Sequence, residues 1–139
     1  MRLTYSIETY GRHLSGTGYL MNLFTAEKEN LNKIIKLIND QLRIIVNGKF
    51  TANDIERAKG YLIGSILFNN ESSDEIATWF AYQEILGDGK ILSPQKKCEI
   101  VQKISRKEIV SVARKYFRED GWYLSLIGQI KESEVVIEF

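Results

Sequence analysis

The residues able to do chemistry in this chain are few. One histidine, His13, and one cysteine, Cys98, stand among its 139 residues. A structural zinc takes four ligands, and a catalytic zinc usually takes three from His, Cys, Asp and Glu. His13 and Cys98 fill such a set only with several carboxylates, so zinc binding by this chain alone is not expected. A Ser-His-acid triad would have to use His13 as its base. No serine occupies the Gly-x-Ser-x-Gly turn that exposes a hydrolase nucleophile. Ser65 follows Gly64 inside a helical pattern, and Ser15 lies between Leu14 and Gly16. Cys98, flanked by Lys97 and Glu99, reads as a small hydrophobe of a helix rather than a nucleophile.

Other chemistries are no better supplied. Gly16-Thr17-Gly18 falls in a strand pattern with no lysine-serine pair after it, so it is no phosphate loop. Gly18 reads instead as a close backbone approach or a bulge. The acid pairs Asp74-Glu75 and Glu119-Asp120 fall at helix ends, the first suited to a positive N-terminus and the second requiring solvent. Nineteen basic against eighteen acidic residues leave a net charge of +1, which gives no electrostatic footprint for nucleic acid. The basic cluster Lys96, Lys97, Lys103, Arg106 and Lys107 is interrupted by Glu99 and Glu108 and reads as solvated helix faces.

A single cysteine excludes an internal disulfide, so nothing asks for an oxidising compartment, and a cytoplasmic location is the expectation. The first residues lack the apolar run of a signal peptide, and no apolar stretch approaches a membrane span. Asn70-Glu71-Ser72 matches a glycosylation sequon of the kind that arises by chance.

The elements that must position these residues follow from periodicity. Leu3, Tyr5, Ile7 and Thr9 alternate with polar neighbours as in a half-buried strand. Gly11 to Ser15 reads as a turn, and Gly16 to Thr25 as a second strand apolar on both faces, giving an antiparallel hairpin. A strand pattern this close to residue 1 suggests a domain already under way, truncated at its N-terminus. Thr25 is the expected N-cap of a helix whose apolar stripe is Leu31, Ile34, Ile35, Ile38, Leu42, Ile45 and Val46, ending at Gly48.

Thr51 with Asp54 opens a second helix, and Ser72-Ser73 before Asp74-Glu75 a third, closed by Gly87-Asp88-Gly89. Ser93-Pro94 opens a fourth, and Ser105 with Glu108 a fifth. Trp122 to Ile130 returns as a strand in the same sheet, and residues 131–139 form either a tail or an edge strand. Two strands, five helices and a strand indicate one α+β two-layer domain over 1–139, with helices on one face of a mixed or antiparallel sheet.

Four segments together carry a resemblance. "RLTYSIETYGRHLSGTGYLMNLFTAEKENLNKIIKLINDQL" resembles the opening of the C-terminal half-domain of the M16 zinc peptidases, the superfamily of insulinase and the mitochondrial processing peptidase. "FTANDIERAKGYLIGSILFNNES" contains Glu56-Arg57-Ala58-Lys59, similar to that family's helix with E-R-A-K. "ISRKEIVSVARKYF" and "WYLSLIGQI" are similar to its later helix and its closing strand. The resemblance runs from about Leu3 to Ile130.

The resemblance implies a non-catalytic, substrate-enclosing half of a zinc metalloendopeptidase. The family's His-x-x-Glu-His motif lies in the other half-domain and has no counterpart here, so this chain alone is expected to be inactive and to hold no cofactor. Zinc would sit on a partner half. Tyr5 matches the family's tyrosine that contacts the substrate backbone, although an inward strand aromatic is equally a core residue. A family arginine some way before that tyrosine has no counterpart, since Arg2 is too close to Tyr5 and replaces the usual glycine. The partners implied are an M16 catalytic half, or self-association, and a peptide substrate. The alternatives are a structural or interaction domain with no peptidase role, or an unrelated α+β ligand-binding module.

Overall fold

The described residues form five α-helices and a two-stranded antiparallel sheet, an α+β architecture. The computed structural model describes residues 3–14, 16–87 and 89–137. Strands β1 (Ser6–Leu14) and β2 (Thr17–Thr25) make the hairpin and are followed by helices α1 (Leu31–Val46), α2 (Ala52–Phe68), α3 (Ser73–Leu86), α4 (Pro94–Lys103) and α5 (Arg106–Tyr116). Short 3-10 turns occupy Lys28–Asn30, Glu119–Gly121 and Glu132–Glu134. The chain resolves into two compact units. One takes residues 1–11, 20–49 and 107–139, the other residues 12–19 and 50–106. No described helix is long and apolar enough to cross a membrane.

In the first unit the α1 stripe is buried as its spacing requires. Leu31, Ile34 and Ile35 are buried and Ile38 and Leu42 half-buried, each full burial stabilising by about 1.5–3 kcal/mol. The helix stops in a Schellman motif. Gly48 N–H donates to the Ile45 carbonyl (3.0 Å), and Lys49 N–H donates to the Ile44 carbonyl (2.8 Å). Gly48 sits at φ +66, in the left-handed region that favours glycine. The α5 residue Arg114 donates from Nε to the Val46 carbonyl (3.2 Å), placing a cation on the negative end of α1. Ala113 beside it is buried.

The second unit is organised by helix caps. Thr51 Oγ1 accepts the Asp54 N–H at 3.1 Å while the Asp54 carboxylate accepts the Thr51 N–H at 2.9 Å. Ser72 and Glu75 repeat that box at 3.2 and 2.9 Å. Ser93 accepts the Lys96 N–H (3.1 Å), with Pro94 in the first turn. Packing of α2 on α4 is closed by Lys59, which donates from Nζ to the Gln102 carbonyl (2.9 Å). Gly18, in β2, confirms the close approach read from the sequence: a Cβ there would lie 2.7 Å from the Arg12 carbonyl oxygen.

Three expectations need correction. Gly11 to Leu14 continue β1 instead of turning, and Ser15 lies outside the described residues. Thr25 is no N-cap: it ends β2, its carbonyl accepting the Tyr5 N–H (3.2 Å), and α1 starts behind the Lys28–Asn30 turn with Asn30 as its cap. Trp122 to Ile130 is no strand. Period-2 patterning decides which face a strand would bury, but a strand also needs a ladder partner. Among the described residues, Tyr123 to Ile130 make no backbone hydrogen bond, and Tyr123 and Ile127 are fully open to solvent.

Beyond Ile130, where a tail or an edge strand was open, the chain forms the Glu132–Glu134 turn, tied to α1 through Asn32. Residues 1, 2, 88, 138 and 139, which carry the Arg2 departure, part of the α3 stop and the last residues of that segment, lie outside the description.

Candidate functional site

Tyr5 is the residue around which a site can be built. It stands just before β1, opposite the end of β2, and the residue is 63% exposed. Its backbone N–H is held by the Thr25 carbonyl, and Thr4 Oγ1 lies 2.7 Å from the same oxygen and 2.6 Å from the Ser6 carbonyl. The start of β1 is thereby fixed against the exit of β2, so the Tyr5 ring projects from anchored backbone.

The phenol of Tyr5 donates to Glu27 Oε1 at 3.0 Å. Glu27 caps the Lys28–Asn30 turn, and its carbonyl accepts the Asn30 N–H (3.0 Å). Leu3, Thr4, Tyr5, Glu27 and Asn30 line a cavity of about 220 Å³. The hydrogen bond to Glu27, and then the nearby negative charge, hold the Tyr5 phenol above its ordinary pKa. At neutral pH the hydroxyl is protonated and directed. Such a group can exchange hydrogen bonds with a polar partner.

The other chemistry-bearing residues are dispersed. His13 is exposed on β1, and Cys98 is a half-buried free thiol in α4. Among the described residues, no group of three or more His, Cys, Asp and Glu is placed to hold a metal ion. Glu75 is occupied by its capping box, and Asp120 is paired with the Arg118 guanidinium. The basic cluster is split among separate partners: Lys96 pairs with Glu99 at 2.6 Å, and Arg106 lies 5.0 Å over the Phe50 ring while donating to the Phe50 carbonyl.

A second concavity of about 580 Å³ lies in the second unit, its walls including Ile66, Asn70, Asp74, Trp79, Tyr82 and Lys97. Its floor is anchored by contacts that periodicity does not reveal. Trp79 Nε1 donates to the Leu92 carbonyl (2.7 Å), and Gln83 bonds both the N–H and the carbonyl of Leu92. The sequence pattern likewise gives no sign that Glu27 meets Tyr5 or that Asn32 meets Glu134. The one available signal was polarity at positions next to an apolar stripe.

The family described as the peptidase M16 inactive domain matches residues 1–62, which include Tyr5, Glu27 and the Glu56-Arg57-Ala58-Lys59 segment. An uncharacterized zinc protease from Rickettsia bellii (strain RML369-C) is 20% identical over 141 residues, covering 99% of this chain and 34% of that protein. The chain therefore spans about a third of the length of the curated relative it matches. Tyr5 and its cleft fall within the matched stretch, and the resemblance to the C-terminal, non-zinc-binding half-domain of the M16 peptidases is borne out.

Proposed function

We propose that this chain is the non-catalytic, substrate-enclosing half of an M16-type zinc metalloendopeptidase. It works opposite a half that carries zinc and the general base, and Tyr5 contacts the main chain of the bound peptide. Zinc on that other half would supply the activation of water for peptide hydrolysis. This chain supplies enclosure and alignment, which raise the rate by holding the scissile group in a reactive position. The observation that carries the reading is the inactive-domain match over the stretch that presents an exposed, protonated and directed tyrosine hydroxyl.

The test is reconstitution. The purified chain is mixed with an M16 half carrying His-x-x-Glu-His, and cleavage of a quenched fluorescent peptide is followed. The chain alone should be inactive, and the mixture should hydrolyse the peptide. Tyr5→Phe should lower kcat/KM about tenfold with the fold unchanged by circular dichroism, the effect of one or two hydrogen bonds. Tight association with no gain in hydrolysis would favour a structural domain instead.

A further inference from the structure

We propose that the Glu132–Glu134 turn is a brace for the Tyr5 cleft, and that Asn32 is the positioning residue that holds it there. Asn32, in the first turn of α1, uses both ends of its amide. Nδ2 donates to the Glu134 carbonyl (2.9 Å), and Oδ1 accepts the Val136 N–H (3.0 Å). One side chain thus supplies a donor and an acceptor to the same short backbone segment, fixing direction as well as distance.

The Glu134 side chain adds two further ties. Its carboxylate pairs with Lys28 Nζ at 2.7 Å and accepts the Lys131 N–H at 2.8 Å. The Lys28 pair is largely exposed and contributes little alone. The amide clip of Asn32 is the directional element.

What the brace touches matters. Lys28 is the residue after Glu27, and the Lys28–Asn30 turn joins Glu27 to α1. On one side that turn carries Lys28, bound to Glu134. On the other, the Glu27 carboxylate receives the Tyr5 hydroxyl and the Glu27 carbonyl receives the Asn30 N–H. The path from Val136 to Tyr5 therefore runs Val136, Asn32, Glu134, Lys28, Glu27, Tyr5, each step a hydrogen bond, an ion pair or a peptide bond. Freeing the segment loosens the turn, and a loosened turn lets Glu27 leave the phenol.

This inference rests on the reading of Tyr5 as a peptide contact, so its test has one arm free of catalysis. In the full chain labelled with ring-¹³C tyrosine, the Tyr5 resonance is identified by its loss in Tyr5→Phe and followed through an alkaline titration. Asn32→Ala should move the Tyr5 titration down toward that of an ordinary tyrosine. In the chain reconstituted with a catalytic half, Asn32→Ala should raise KM roughly three- to tenfold with kcat kept, the loss of about one positioning hydrogen bond. If Asn32→Ala fails to fold, Asn32→Ser, too short to reach both the Glu134 carbonyl and the Val136 N–H, takes its place. A Tyr5 titration unchanged in the variant overturns the brace, and a shifted titration with KM unchanged upholds the brace and overturns the reading of Tyr5 as a peptide contact. A shifted titration in a chain that restores no hydrolysis upholds the brace and overturns the peptidase reading.

Discussion

Gln83 holds Leu92 by both of its backbone groups. Its Nε2 donates to the Leu92 carbonyl at 3.0 Å, and its Oε1 accepts the Leu92 N–H at 2.9 Å. Trp79 Nε1 donates to the same carbonyl. The α3–α4 connection is therefore fixed by side chains where a sheet would have used a ladder. Gln83→Leu keeps much of the volume but strands the Leu92 N–H, which should cost about 1–3 kcal/mol. Thermal unfolding should show a midpoint lowered by roughly 2–8 °C. An unchanged midpoint would mean that water replaces the amide without loss.

The two basic residues of Glu56-Arg57-Ala58-Lys59 should behave differently. Lys59 is largely covered and donates to the Gln102 carbonyl near the end of α4. Arg57 is 75% exposed and faces Asp54 at 3.7 Å. Lys59→Met removes a charge-assisted cap and should cost about 1–2 kcal/mol in urea unfolding. Arg57→Ala breaks an exposed pair and should change stability by less than about 0.5 kcal/mol. Equal effects would refute the capping role.

What was legible in the sequence follows from the range of the interactions. Thr51 with Asp54, Ser72 with Glu75, Ser93 with Pro94, and Gly48 act within a few residues, so α1 to α4 could be placed from local chemistry. The Trp122–Ile130 strand failed because its alternation is local while a ladder is not. Lys28–Asn30 displaced the Thr25 cap because β2 took the Thr25 carbonyl for Tyr5. Tyr5 was found by resemblance, yet Glu27, its acceptor, lies 22 residues away, and Glu134, the partner of Asn32, lies 102 away. Such pairings are set by the tertiary fold and leave no pattern in the chain.

The capping boxes should make stability fall in acid. The Asp54 carboxyl lies below its usual range because it accepts the Thr51 backbone N–H and then the Thr51 hydroxyl. Glu75 is lowered in the same way by Ser72. A carboxyl whose folded pKa is depressed binds fewer protons folded than unfolded. Its contribution is then complete above the unfolded values of about 3.9–4.3 and is lost as pH falls through the folded value. Urea midpoints should therefore drop on acidification from neutral pH, and Asp54→Asn should flatten part of that slope. A slope unchanged in both Asp54→Asn and Glu75→Gln would exclude the boxes as its source.

Glycine replacements should split by sign. Gly48 sits at φ +66 in the Schellman stop of α1, and a Cβ there would lie 3.2 Å from Val110 Cγ2 on α5. Left-handed backbone costs an L-residue about 1–2 kcal/mol, and the α5 side chain must also yield, so Gly48→Ala should destabilise by at least that much. Gly60 and Gly64 lie inside α2, exposed, with nothing within 4 Å of a Cβ. There an alanine loses less backbone entropy on folding, and each replacement should stabilise by about 0.4–1 kcal/mol. Denaturant titrations of the three variants read the result directly. If Gly64→Ala destabilises instead, the added methyl group meets an atom that the described surroundings of α2 do not show, and the open-face reading of Gly64 fails.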